Sequence, residues 1–146
     1  MFVEQLLPKA RERLVTIADD MLLIQAAALL RSGTDLVIVC SAAGLLSGVI
    51  TKTDIVNKIS HCQGAICITA AAMAMTSEVV LCRPKDSLRD VWASMKERGL
   101  KNVPVVDEDS RPIGLLHARD ILQVLLTESE DEETLLRDYV MGIGYR

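Results

Sequence analysis

The sequence predicts a mixed α/β (α+β) fold in which two pseudo-symmetric motifs, each strand, helix, strand, strand, helix, pack as one module followed by a C-terminal helix. Three observations predict it. The chain matches itself at an offset of about 66 residues. Asp20 falls on Asp86, Leu22 on Leu88, Ala27 on Ala93, Gly33 on Gly99, Val37 on Val103, Val39 on Val105, Gly48 on Gly114, Asp54 on Asp120 and Ile55 on Ile121. Each copy also carries the same alternation of aliphatic runs and turn residues. Finally, 146 residues with 50% hydrophobic content suffice for one packed core and not for two large independent ones.

Residues 1–14 form an N-terminal segment, and the first copy spans 15–64. It opens with a short strand over 15–18. Asp19 and Asp20 then offer an N-cap to an aliphatic helix over 21–32, which Gly33 ends as a residue free to take positive φ. The apolar run 36–40 has strand length, Ala43 and Gly44 turn the chain, and 45–50 returns as a second strand. A helix over 53–61 follows, capped by Thr53 or Asp54. Residues 65–78 read as a linker, with an aliphatic helix expected within 64–75.

The second copy, 79–127, repeats the order. A strand over 79–82 precedes a helix over 87–98 ended by Gly99. Strands over 103–106 and 113–116 flank the polar turn 107–111, and a helix covers 119–127. Residues 128–146 read as an acidic linker and a C-terminal helix or tail, with Glu128, Glu130, Asp131, Glu132 and Glu133 placed to load the first turn of that helix. The helices are apolar on more than one side, as in Leu22, Leu23, Ile24, Ala26, Ala27, Ala28, Leu29 and Leu30; two copies packed together can bury this surface, and a residual apolar face favours a homodimer, with a thick interior as the alternative.

Composition excludes several functions. Aromatics make up 3% of the chain (Phe2, Trp92, Tyr139 and Tyr145), too few for a base-stacking platform. A net charge of -4 and a pI near 5.2 also disfavour a nucleic-acid partner. No run reaches the roughly 18 to 20 apolar residues of a membrane span, and the N-terminus does not read as a secretory signal. A cytoplasmic location without membrane contact is therefore expected. No G-x-S-x-G elbow, phosphate-binding P-loop or H-E-x-x-H helix is present, so no catalytic residue is assigned and an enzyme is not expected. His61, Cys62 and Cys67 supply three ligands where structural zinc takes four, so no metal site is assigned. Cys40 and Cys82 read as core residues, whereas Cys62 with Cys67 leaves open a redox-switched module.

With the repeat laid out, Gly48, Val49, Ile50, Thr51, Lys52, Thr53, Asp54 resembles the signature of CBS domains: glycine, two apolar residues, hydroxyl, any residue, hydroxyl, aspartate. The second copy, Gly114, Leu115, Leu116, His117, Ala118, Arg119, Asp120, keeps the glycine and aspartate and replaces both hydroxyl residues. The run Asn102, Val103, Pro104, Val105, Val106, Asp107 also resembles the family's second strand, with Ile38 standing where the first copy would carry the proline.

The resemblance implies a disk-like regulatory module with two clefts for adenosine ligands such as AMP, ADP, ATP or S-adenosylmethionine, with magnesium able to accompany ATP. Such a module regulates a partner protein, here unidentified. In the first cleft Asp54 would hold the ribose and Thr51 and Thr53 the phosphates, beside Val80, Lys101, Asn102 and Pro104, with Lys101 as a phosphate ligand. In the second, Asp120 would take the ribose, with His117 and Arg119 nearby and Thr16, Ile17 and Ile38 lining it. A carboxylate accepting two vicinal hydroxyls is sound chemistry. Both aspartates read equally as helix caps, Thr51 as a strand former, Thr53 as a cap and Lys101 as a solvated lysine. Arg119 either grips phosphate or pairs with Asp120 or surface acids and blocks the cleft. A ligand-independent dimerisation module remains the alternative.

Overall fold

The aliphatic runs that the repeat superposes become the strands β2 (Leu36–Cys40) and β4 (Asn102–Val106). The computed structural model describes residues 1–31, 33–61 and 69–141, with side chains through residue 129. In the first copy β2 pairs in parallel with β1 (Thr16–Ala18) and antiparallel with β3 (Leu46–Thr51). In the second, β4 pairs antiparallel with β5 (Pro112–His117). A register shift interrupts both hairpins at equivalent points, between Val39 and Cys40 and between Val105 and Val106. The pseudo-symmetry thus extends to the bulge.

The strand expected over 79–82 is reduced to one parallel bridge between Cys82 and Val105. Pro104 accounts for the loss. In the first copy the Ile38 N–H donates to the Val15 carbonyl at 2.8 Å, and its counterpart Pro104 has no N–H to offer. Pairing is left to the Cys82 N–H, which donates to the Pro104 carbonyl at 3.0 Å, and the Val106 N–H, which donates to Cys82 at 3.0 Å.

Among the described residues five α-helices complete the fold: α1 (Leu7–Glu12), α2 (Leu23–Leu29), α3 (Lys52–His61), α4 (Leu88–Arg98) and α5 (Ala118–Met141). Gly99, at φ 66°, ends α4 as expected, and the Leu100 N–H closes on the Met95 carbonyl at 2.9 Å. The start of α2 departs from expectation. Its N-cap is Leu22 rather than Asp19 or Asp20, because residues 69–71 pair with 21–23: the Leu23 N–H donates to Thr69 and the Ala71 N–H to Met21, each at 2.7 Å. Gln25 Oε1 accepts the Leu22 N–H at 3.0 Å in place of an aspartate cap. The break expected after residue 127 does not occur, since α5 continues through the acidic run, and glutamate is a good helix former. In the linker, residues 62–68 lie outside the described residues, and instead of the expected helix the remainder shows a 3-10 turn, Ala71–Met73.

The N-terminal segment, for which no element was expected, forms a 3-10 turn (Val3–Leu6) that runs into α1. Val3, Leu6 and Ala10 join the core of the second copy, with Leu88, Met95, Val103, Val105, Leu116 and Ile121. Conversely, Ala71, Ala74 and Met75 pack on the core of the first, with Ile17, Leu23, Val37, Val39 and Ile50. Each copy is therefore covered by the segment that precedes the other. The repeated glycines permit it. A Cβ at Gly48 would lie 2.6 Å from the Thr76 carbonyl oxygen, and one at Gly114 would lie 2.8 Å from the Ala10 Cβ. A third cluster, Leu36, Ile38, Val49 and Leu115, joins the two copies. Among the described residues no helix is long and apolar enough to cross a membrane.

Candidate functional site

The turn from β3 into α3 fixes the first repeated aspartate. Asp54 Oδ2 accepts the Thr51 N–H at 2.9 Å and the Thr51 hydroxyl at 3.2 Å, and Oδ1 accepts the Thr76 hydroxyl at 3.0 Å. An ionised carboxylate has about four acceptor positions, so capacity for a further donor remains. Asp54 faces a cleft of about 390 Å³ lined also by Thr51, Thr53, Val80, Asn102 and Pro104. Its volume lies in the range of small-molecule sites, roughly 300 to 1,000 Å³.

All of the residues expected in this cleft line it except Lys101, which stands in the bend just before β4. Lys101 is exposed, and its carbonyl accepts the Ala118 N–H at 2.8 Å. Among the described residues Arg98, at the end of α4, is the cation that lines the cleft. The sequence reading missed it because a basic residue in a last helical turn is ordinary. Leu36, Val49, Thr76, Glu78, Val79 and Leu100 complete the lining. Leu36 and Val49 come from the first copy and Val79, Leu100 and Asn102 from the second or the segment leading into it, so the cleft straddles the repeat.

The second repeated aspartate has a different environment. Asp120 is 5% exposed, and Arg13 from the end of α1 grips it in a fork, Nε to Oδ2 at 2.6 Å and Nη2 to Oδ1 at 3.2 Å. Lys9 Nζ lies 3.7 Å from Oδ1. Burial pushes the Asp120 carboxyl up, but the Arg13 hydrogen bond and charge, with Lys9 and His117, outweigh it and hold it below the ordinary carboxylate value. The same bond raises Arg13 above its ordinary value. The arginine paired with Asp120 is thus Arg13 rather than Arg119, whose backbone N–H donates to His117 Nδ1 at 3.0 Å. His117 Nε2 stands 3.7 Å from Asp35 Oδ2.

Only about 10 Å³ remains in the cavity lined by Arg13, Gly33, Thr34, Asp35, Leu36, Asn102, Leu115 and His117. The other residues expected there are not gathered around it. Ile38 is 0% exposed in the cluster joining the copies, because β2 is the central strand of its sheet. Ile17 belongs to the first core, and Thr16 is exposed on β1. Cys82 is buried and Cys40 half-buried, both as free thiols, and Cys62 and Cys67 lie outside the described residues. Among the described residues no group of His, Cys, Asp or Glu is placed to hold a metal ion.

The family model for the CBS domain matches residues 3–61 and again 70–127. Among solved structures, the chain is similar to the CBS-domain containing protein ATU1752 from Agrobacterium tumefaciens, at 28% identity over 85% of this chain and 98% of that one, with a TM-score of 0.72. It is similar also to the CBS domain pair of protein MJ0100 in complex with 5'-methylthioadenosine and S-adenosyl-L-methionine, at 22% identity over 88% and 98% of the two chains, TM-score 0.71. A third likeness is the cytosolic domain of the Mg2+ channel MgtE in complex with ATP, at 24% identity, covering 77% of this chain and 45% of that one, TM-score 0.64. The last two likenesses show the fold. No match was found among curated proteins. One family match falls on each copy of the repeat, with the preceding segment included both times, and the chain belongs to the CBS domain family as a tandem pair.

Proposed function

We propose that this CBS pair is a regulatory module that senses an adenosine ligand (AMP, ADP, ATP or S-adenosylmethionine) in the first cleft and transmits its presence to a partner protein. The observation that carries this is the meeting of a fixed carboxylate, Asp54, with the hydroxyls of Thr51 and Thr53 and the aliphatic walls Val49, Val80 and Pro104 in one cleft. Asp54 accepts the vicinal ribose hydroxyls, the adenine lies between the aliphatic walls, and Thr53 with Arg98 faces the group carried on the ribose, whether phosphate, with or without magnesium, or methionyl carboxylate. The adenosine ligands named for the MJ0100 pair and the MgtE domain support the ligand class.

Because the lining comes from both copies, a ligand that contacts both favours their closed arrangement, and that differential contact is what a partner would read. The role is regulation rather than catalysis. A second copy of the chain covers the apolar side chains left exposed on α3 and α5: Val56, Ile59, Leu122 and Leu126.

Calorimetric titration with AMP, ATP and S-adenosylmethionine, paired with thermal shift, tests the proposal. At least one is expected to bind and raise the melting temperature, and Asp54→Ala is expected to abolish both effects. Binding of none, or binding indifferent to Asp54→Ala, removes the first cleft as the sensor.

A further inference from the structure

We propose that Arg13 is a built-in occupant of the second cleft, so that each chain takes one adenosine ligand and gains a second site only when the Arg13 side chain is removed. The ligand class rests on the reading of the first cleft; the occupancy by Arg13 rests on its own geometry. The repeat offset sets Arg13 against Val79 and Asp120 against Asp54. Val79 is short and apolar and lines an open cleft of about 390 Å³. Arg13 instead extends a guanidinium onto both oxygens of Asp120, the atoms that would accept the two hydroxyls of a ribose.

A ribose cannot compete on equal terms. Its neutral hydroxyls would replace charge-assisted bonds to a carboxylate that is 5% exposed, leaving Lys9, at 3.7 Å, as the near cation. The space has the same cause. Arg13, Gly33 and Thr34 line both the residual cavity of about 10 Å³ and a neighbouring groove of about 310 Å³ that also meets Lys9, Glu12 and Val15. Of these three shared residues Arg13 carries the longest side chain, and the proposal makes it the partition between the two. Truncating it merges the two into a cleft comparable to the first, with Asp120 uncovered at its floor and His117, beside Asp35, at its rim.

The test counts ligands per chain by equilibrium dialysis, with AMP and S-adenosylmethionine as probes and circular dichroism as the check on folding. Wild type is expected to bind one, Arg13→Ala two, Arg13→Ala with Asp54→Ala one, and Arg13→Ala with Asp120→Ala one. If Arg13→Ala unfolds, Arg13→Gln is read in its place, with the same counts expected. Two ligands on wild type, or one on a folded Arg13 variant that still binds through Asp54, overturns the proposal. No ligand on wild type but one on Arg13→Ala, lost with Asp120→Ala, sinks the sensor reading of the first cleft and leaves Arg13 as the occupant of the second. No ligand on either protein overturns both.

Discussion

Thr76 is bound to the first motif twice over: its hydroxyl donates to Asp54 Oδ1 at 3.0 Å, and its backbone exchanges hydrogen bonds with Val49 at 2.9 and 3.0 Å. A residue of the segment between the copies therefore sets the orientation of the carboxylate proposed to hold the ribose. Thr76→Val keeps the shape and removes the donor. Affinity for the adenosine ligand is expected to fall about fivefold, in line with one hydrogen bond of about 1 kcal/mol, with the secondary structure intact. Titration calorimetry reads it, and an unchanged dissociation constant would show that Thr51 orients Asp54 alone.

The close approaches at the repeated glycines predict matched losses of stability. Gly48→Ala drives a Cβ into the Thr76 carbonyl, and Gly114→Ala drives one into Ala10. Each is expected to cost about 1 to 3 kcal/mol, as overpacking does. Urea melts measure the loss. Limited proteolysis separates the two, because Gly114→Ala is expected to loosen α1 and expose the N-terminal segment to cleavage.

Acid sensitivity follows from the Arg13 and Asp120 pair. Asp120 is held below its ordinary value in the folded chain, so the unfolded chain takes up the proton first as pH falls. Its contribution is complete above about pH 4, the unfolded value, and is lost as pH falls through the folded value. Asp120→Asn is expected to cost about 1 to 3 kcal/mol at neutral pH and to flatten the acid limb of the stability curve. Wild-type and variant curves running parallel between about pH 3 and 7 would refute the assignment.

Cys82 predicts the opposite limb. Burial, with a smaller contribution from Asp86, pushes its thiol up to about 12 from an ordinary 9.0. The folded chain keeps that proton where the unfolded chain has lost it, so stability falls as pH rises from about 9 towards 12. Cys82→Ala is expected to make the fall shallower. In native protein at pH near 8 the thiol resists iodoacetamide, and in urea it is labelled, as peptide mass spectrometry can follow.

Val56→Glu combined with Leu126→Glu places charge on the exposed apolar faces of α3 and α5. Light scattering is expected to give a dimer's mass for wild type and a monomer's for the variant, while each variant chain still binds the ligand proposed for the first cleft. An unaltered mass would move the interface elsewhere.

The repeat makes most of this architecture legible in the sequence. Paired glycines and aspartates marked the turns, and the run from Gly48 to Asp54 marked the cleft that the structure shows. What escaped was whatever depends on contacts remote in sequence. Nothing around Arg13 announces a buried partner, because its match at the offset is Val79 and Asp120 lies 107 residues away. The resemblance points to Lys101 through its place before Pro104, and nothing in the sequence sets Arg98, a basic residue in a last helical turn, against the cleft. The apolar run 79–82 reads as a strand, and it fails to form one because Pro104 lacks the N–H that would pair with it. Asp19 and Asp20 had the composition of a cap and lost that role to backbone pairing with residues 69–71.

The exchange of covering segments makes the unit of duplication different from the unit of folding. A fragment ending before residue 70 would leave Ile17, Leu23 and Ile50 without Ala71 and Met75, and one beginning after it would leave Leu116 and Ile121 without Val3, Leu6 and Ala10. Separated halves are expected to be unstructured apart and to reassemble when mixed, each restoring the other's missing wall. The two copies are interlocked by the passage of the chain through each other's territory, so loosening one half draws a wall away from the core of the other.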